Sequence, residues 1–200
     1  RAGQRIGFGG LHIVLGADGK IAGAGRAKVR LDLMDVGLIV KDRGSGQPRA
    51  LLDRVKMSIY PGELVGMLGP SGAGKSTLLM SVLGMLRPTG GYVLLNGRPL
   101  NQQYESFRTN VGYVPQDDIV HPQLTVREAL DYACKLRLPP MSDADRNEAI
   151  EKTLKQVGLF EQRDLQIGSA EEKVLSGGQR RRVNLAVELV TDPSLLICLL

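Results

Sequence analysis

Eight consecutive residues, Gly69-Pro70-Ser71-Gly72-Ala73-Gly74-Lys75-Ser76, fit the pattern G-x-x-x-x-G-K-[ST]. Glycines at that spacing let a backbone curl round an anion so that successive N–H groups point inward. Lys75 would bring a mobile positive charge to the β- and γ-phosphates of a nucleotide, and the Ser76 hydroxyl a ligand for Mg²⁺. The pattern carries weight only between a buried strand and a helix. Residues 64–68 are uniformly apolar and read as a short strand of a parallel sheet. Residues 76–86 read as a helix with Leu78, Leu79, Val82, Leu83 and Leu86 on its apolar side. Its positive N-terminal end would face the bound phosphate. The chemistry implied is nucleotide binding, and this flanking pattern disfavours an ordinary Gly-rich turn.

A second glycine motif lies about 100 residues later: Leu175-Ser176-Gly177-Gly178-Gln179. Ser176 can cap the helix that follows, with Gln179 at the reciprocal capping-box position. Val183, Ala186, Val187 and Val190 continue as a helical apolar stripe. The amides of Gly177 and Gly178 would form another anion-binding helix end, or merely the start of a well-capped helix.

The elements around these motifs are legible in outline. Val29, Leu31 and Leu33, then residues 38–40, read as strands; residues 44–48 as a loop; Val55, Met57 and Ile59 as a further strand; and residues 60–63 as a turn. Thr125 and Glu128 form a capping box for a helix that Pro139-Pro140 stops after Leu138. A second helix starts after Ser142, carries Ile150, Leu154 and Val157 on one face, and ends at Gly158. Before residue 28 the sequence is Gly-rich: residues 11–20 read as a hairpin closing an upstream module, with Ala22-Gly23-Ala24-Gly25 as linker, or else as a tail.

Composition narrows the class. The chain has 200 residues, 42% hydrophobic and 24% charged, which suits a globular domain and disfavours wholesale disorder. Two isolated cysteines, Cys134 and Cys198, exclude a disulfide framework or a four-Cys zinc site within this sequence and fit a reducing compartment. Its longest apolar runs, such as residues 195–200, are far shorter than the ~20 residues that span a bilayer. The first residue is Arg1, so the sequence reads as a piece of a longer chain. The net charge of +5 is uneven: residues 1–60 hold 11 basic and 5 acidic side chains, residues 61–200 hold 15 and 16. A uniformly basic nucleic-acid-binding domain is therefore disfavoured. Arg26, Lys28 and Arg30 are expected to face an anionic membrane surface instead.

The motif at residues 175–179, about 100 residues after the phosphate-binding loop, resembles the signature motif of ATP-binding-cassette (ABC) ATPases. Residues 111–118, Val-Gly-Tyr-Val-Pro-Gln-Asp-Asp, resemble that family's Q-loop and place Gln116 at its glutamine. Finer features resemble ABCG (white, or eye-pigment) half-transporters: residues 116–118, 123–128, 136–139 and 180–189. The resemblance runs from about Val29 to Leu200. It implies an α/β fold, a P-loop NTPase of ABC type, with an antiparallel β subdomain, a RecA-like parallel-sheet core and a helical subdomain over about residues 120–163. It divides the chain into an ABC ATP-binding domain, 29–200, with its core incomplete at the C-terminus, and a linker or upstream module, 1–28, for which a forkhead-associated module is the candidate.

The same resemblance implies an ATP-hydrolysing motor domain of a membrane exporter, on the cytoplasmic face of the cell (inner) membrane. Two such domains would pack head to tail, with ATP and Mg²⁺ between one subunit's phosphate-binding loop and the other's signature motif. Gly69, Pro70, Ser71, Gly72, Ala73, Gly74, Lys75, Ser76 and Thr77 would bind the nucleotide, and Ser176, Gly177, Gly178 and Gln179 would meet it from the partner. Lys75 and Gln116 would be the catalytic residues, with Ser76 and Gln116 on the metal. The partners implied are a second ABC ATPase subunit and a transmembrane domain C-terminal in the full-length chain, with no nucleic acid. The alternatives are a soluble ABC ATPase acting on DNA or ribosomes, and a catalytically inactive nucleotide-binding regulatory module.

Three departures from the family's pattern bear on activity. No aromatic residue lies between Phe8 and Tyr60 to stack on adenine, which leaves an aliphatic residue such as Val40 for that role. The family's Mg²⁺-binding Asp and catalytic Glu would fall at Leu199 and Leu200. Either the apolar strand has slipped by two residues and the acids follow, the favoured reading, or they are lost. The D-loop and switch histidine are also absent, since His121 comes too early and reads as a loop residue. Residues 1–200 alone are expected to bind ATP weakly and not to turn it over.

Overall fold

The computed structural model describes residues 5–8, 11–15, 21–26, 29–42, 44–108, 110–117, 119–169 and 174–199, the first three stretches and Ser106 as backbone only. They fall into two compact units, residues 1–110 and 111–200.

The first unit opens with a three-stranded antiparallel sheet of β1 (Arg5–Phe8), β2 (Leu11–Leu15) and β3 (Ile21–Arg26). The expected hairpin is there, but the Gly-rich segment expected as linker lies inside β3. Ala22, Gly23 and Ala24 pair with Val14, Ile13 and His12. Ladder pairing uses backbone groups, so a partner strand overrides the low strand propensity of glycine.

A four-stranded antiparallel sheet follows, with β4 (Leu31–Lys41), β5 (Pro48–Ile59), β6 (Gly90–Leu95) and β7 (Arg98–Pro99) in the order β5-β4-β6-β7. The two apolar runs read as separate strands are one. Asp35, at φ 51°, marks the place where β4 slips register against both neighbours. The slip adds one residue to the alternation, so Leu31, Leu33, Val36 and Leu38 all face inward. At the start of β4 the buried Asp32 accepts hydrogen bonds from Ser58 Oγ (2.6 Å) and from Arg30, whose Nη2 lies at 2.9 Å. Ser58 first, then Arg30, hold the Asp32 carboxyl below the usual carboxylate range. Arg30 also lies over the Tyr60 ring, 4.8 Å from its centroid. Its charge is thus partnered within its own unit while its side chain stays 47% exposed; the side chains of Arg26 and Lys28 lie outside the described residues.

Residues 64–68 form no strand, contrary to expectation, and Leu64 and Leu68 are 100% and 97% exposed. An apolar run becomes a strand only where a neighbour accepts its backbone hydrogen bonds, and no strand of its own unit pairs with it. Beyond the loop, α1 (Lys75–Val82) buries Leu78, Ser81 and Val82. It ends four residues before the expected Leu86. Gly84 turns the chain at φ 73°, and a Cβ there would sit 2.6 Å from the Tyr104 ring, the first residue of α2 (Tyr104–Arg108).

In the second unit β8 (Val111–Val114) and β9 (Leu195–Cys198) run parallel, Val111 opposite Leu195. Parallel pairing accords with the parallel-sheet core that the resemblance implies. Three helices form one core: α3 (Val126–Arg137), α4 (Asp143–Gln156) and α5 (Gly177–Leu189). Val126, Leu130, Ile150, Leu154, Val183 and Ala186 are fully buried in it. The caps stand where the sequence puts them. Thr125 and Glu128 exchange hydrogen bonds at 3.2 and 2.8 Å, and Ser142 Oγ accepts from Asp145 N–H. Asp131 on α3 binds Lys135 and, across to α4, Arg146, each at 2.6 Å. Burial pushes the Asp131 carboxyl up, but these hydrogen bonds outweigh it and leave it below its ordinary value. Cys134 is buried as an apolar residue, and burial raises its thiol pKa.

Candidate functional site

In the first unit residues 69–74 form the loop that leads into α1, whose first two residues, Lys75 and Ser76, complete the glycine motif. Its last glycine is the hinge. Gly74 caps α1 at φ 86°, a left-handed conformation, and a Cβ there would meet Leu51 O at 2.9 Å and Leu52 Cδ2 at 3.3 Å. Only glycine fits both the angle and the space. No side chain caps α1, and no acidic residue lies in its first turn. Lys75, half-buried, folds back so that Nζ donates to Gly69 O (2.6 Å) and Pro70 O (2.8 Å). Pro70 O also accepts from Ala73 N–H at 3.3 Å, which closes the loop on itself. Ser71, Gly72, Ala73 and Ser76 are exposed, Thr77 half-buried. The result is an open helix N-terminus with a lysine beside it and a hydroxyl at its second residue. That set fits a nucleotide's phosphates and an accompanying Mg²⁺. Among the described residues no group of three or more His, Cys, Asp and Glu side chains could hold a metal ion.

The second motif is held in the opposite way. Ser176 caps α5: its Oγ accepts from Gln179 N–H at 3.2 Å, and Gln179 Oε1 accepts from Ser176 N–H at 2.8 Å. Leu175, 1% exposed, anchors the turn in the core, while Ser176, Gly177 and Gly178 stand exposed with open space around both glycines. Gln116 follows β8 in an exposed loop, beside a cavity of about 180 Å³ whose walls include Pro115, Arg181, Asn184 and Leu199.

Three features of this unit were not read from the sequence. Arg182 donates to the carbonyls of Val157 and Gly158 at the end of α4 (3.2 and 3.3 Å), and Arg180 donates to Ser169 O at 2.8 Å. Two of the three successive arginines at 180–182 are therefore clamps. Asn184 and Glu188, polar residues one turn apart on α5, are 2% and 7% exposed. Their spacing beside Val183 and Val187 is a signal: two polar groups bordering an apolar stripe must find buried partners.

The family model described as "ABC transporter" matches residues 52–198. The chain belongs to that family. It is 45% identical over 150 residues to an ABC transporter ATP-binding/permease protein of Mycobacterium tuberculosis, covering 74% of this chain and 17% of that protein. It is 44% identical over 154 residues to ABC transporter G family member 25 of Oryza sativa subsp. japonica, covering 74% and 15%. To the broad substrate specificity ATP-binding cassette transporter ABCG2 of Bos taurus it is 41% identical over 151 residues, covering 74% and 22%. The chain thus spans a quarter or less of the length of these relatives, and its likeness is to ABCG-type members.

Among solved structures, CbiO1 of Clostridium perfringens, part of an ABC transporter complex, superposes with a TM-score of 0.70 at 25% identity, covering 84% of this chain and 64% of that one. A bacterial Atm1-family ABC exporter with ATP bound gives 0.68 at 26% identity, covering 86% and 29%. The fold is the ABC ATPase fold, and the chain is an ATP-binding domain of ABC-transporter type. Among the described residues no helix is long and apolar enough to cross a membrane.

Proposed function

We propose that this domain binds and hydrolyses ATP as the motor of an ABCG-like exporter, paired head to tail with a second copy and coupled to a transmembrane domain at the cytoplasmic face. The observation that carries this reading is the open, uncapped N-terminus of α1 with Lys75 folded beside it. Bound MgATP would supply the phosphoryl group whose transfer to water drives transport. The residues of the chain do the positioning. Lys75 exchanges its two carbonyl partners for phosphate oxygens, a switch between hydrogen bonds that needs no refolding. Gly72, Ala73 and Gly74 would present backbone amides and Ser76 its hydroxyl to Mg²⁺, and Gln116 would serve the metal and the attacking water. Ser176 and the first-turn amides of α5 meet the γ-phosphate held by the partner copy. The capping box leaves the Ser176 hydroxyl proton available, because its oxygen accepts from Gln179 while its own O–H can donate.

The test is ATP turnover by the full-length protein in lipid, wild type against Lys75→Ala and Ser176→Ala. Loss of turnover in both supports the reading. Turnover equal to wild type in Lys75→Ala contradicts it.

A further inference from the structure

The loop that carries Gln116 is tied at both ends to the helix that opens with Ser176-Gly177-Gly178. Before the loop, β8 pairs with β9 on one side, and Leu199 N–H continues that pairing to Val114 O at 2.8 Å. On its other edge the backbone meets side chains. Tyr113 N–H donates to Glu188 Oε2 at 3.1 Å, and Val111 O accepts from Arg137 Nη2 at 3.3 Å. Arg137 and Glu188 are themselves joined at 2.8 Å. An ion pair from the end of α3 and the last turns of α5 thus takes the place of a neighbouring strand. Beyond Gln116, Ile119 N–H donates to Asn184 Oδ1 at 3.3 Å. Asn184 and Glu188 are four residues apart, so they project from the same face of α5.

We propose that Asn184 and Glu188, supported by Arg137, are positioning residues that lock the Gln116 loop to the helix bearing the signature motif. The nucleotide-sensing residue and the surface offered to the partner then move as one piece. The importance of Gln116 rests on the function proposed above; the clamp itself rests on these distances. Both side chains accept from backbone N–H groups, so each acts through the backbone it holds.

Asn184 gives the cleaner test, since Glu188 leaves an unpaired arginine when removed. Asn184→Leu keeps the volume and deletes the acceptor, whereas Asn184→Asp keeps an acceptor oxygen. In the full-length protein, amide exchange over residues 115–120 should be about tenfold faster in Asn184→Leu, with residues 177–189 as protected as in wild type. In the same variant kcat for ATP should fall about tenfold while KM stays within about twofold. Asn184→Asp should restore both readings. Unchanged exchange in Asn184→Leu, equal defects in the two variants, loss of protection throughout α5, or faster exchange with unchanged kcat would each overturn the proposal. If wild type hydrolyses no faster than Lys75→Ala, the ATPase reading fails, and the exchange measurement still decides the clamp.

Discussion

Among the described residues two glycine-rich helix N-termini, those of α1 and α5, are held in opposite ways. The one at α1 has no side-chain cap, a left-handed glycine as its hinge and a lysine parked on loop carbonyls. The one at α5 is closed by a reciprocal capping box and rooted in a core where Val183 and Ala186 are fully buried. A helix end left uncapped is short of hydrogen bonds, and a ligand can supply them. A helix end already capped is rigid before any ligand arrives. The contrast teaches that the first terminus has hydrogen-bond donors left to offer, whereas the second is a preformed surface.

The largest expected effect probes the preformed side. Glu188→Ala leaves the Tyr113 amide without its acceptor and Arg137 without its anion. Breaking such a pair should cost about 3 kcal/mol, at the low end of the range because Arg137 is 31% exposed. Denaturant unfolding followed over the second unit measures it. If Glu188→Ala were neutral, the second terminus would not be preformed by its core. Gly74→Ala tests the other side: a left-handed alanine costs about 1–2 kcal/mol, and contact with Leu51 O adds to it. Its signature should be ATP affinity lost well beyond the shift in melting, since α1 is only eight residues long.

Ser176→Ala removes the α5 cap and should cost about 1 kcal/mol in unfolding free energy. A matching Ser76→Ala change should leave stability nearly untouched, because no intramolecular hydrogen bond is assigned to that exposed hydroxyl, and should weaken Mg²⁺-dependent nucleotide binding instead. Equal stability losses for the two serines would erase the comparison. The smallest effect is in pH. Hydrogen bonds from Thr125, backbone first and hydroxyl second, hold Glu128 below its ordinary pKa. A lowered folded-state value means the contribution is complete above the unfolded pKa of about 4.3 and fades as pH falls through the folded one. Thr125→Ala should flatten that part of the stability–pH curve.

What could be read from the sequence follows from what is local. The caps at Thr125, Ser142 and Ser176 involve residues three apart, so their chemistry is written in the chain itself. The passage from loop to helix at residues 69–76 was equally legible, because closely spaced glycines mark a turn and Gly74 supplies its left-handed end. The apolar run at 64–68 was misread because a strand is defined by its neighbours, which a run of leucines does not disclose. The bulge at Asp35 was hidden for a related reason: two runs out of phase look like two strands until pairing shows them to be one. Asn184, Glu188 and Arg137 escaped because their partners are backbone groups up to 75 residues away. The polar pair beside an apolar stripe was the only trace they left.

The proposed nucleotide site at the α1 terminus rests on Lys75 and the uncapped first turn. Calorimetric titration of MgATP into the full-length protein, wild type and Lys75→Ala, tests it most directly. The account expects saturable binding by the wild type and an affinity lower by about 10- to 100-fold in the variant, the loss of hydrogen bonds to a charged group. Binding of equal strength by both would contradict it.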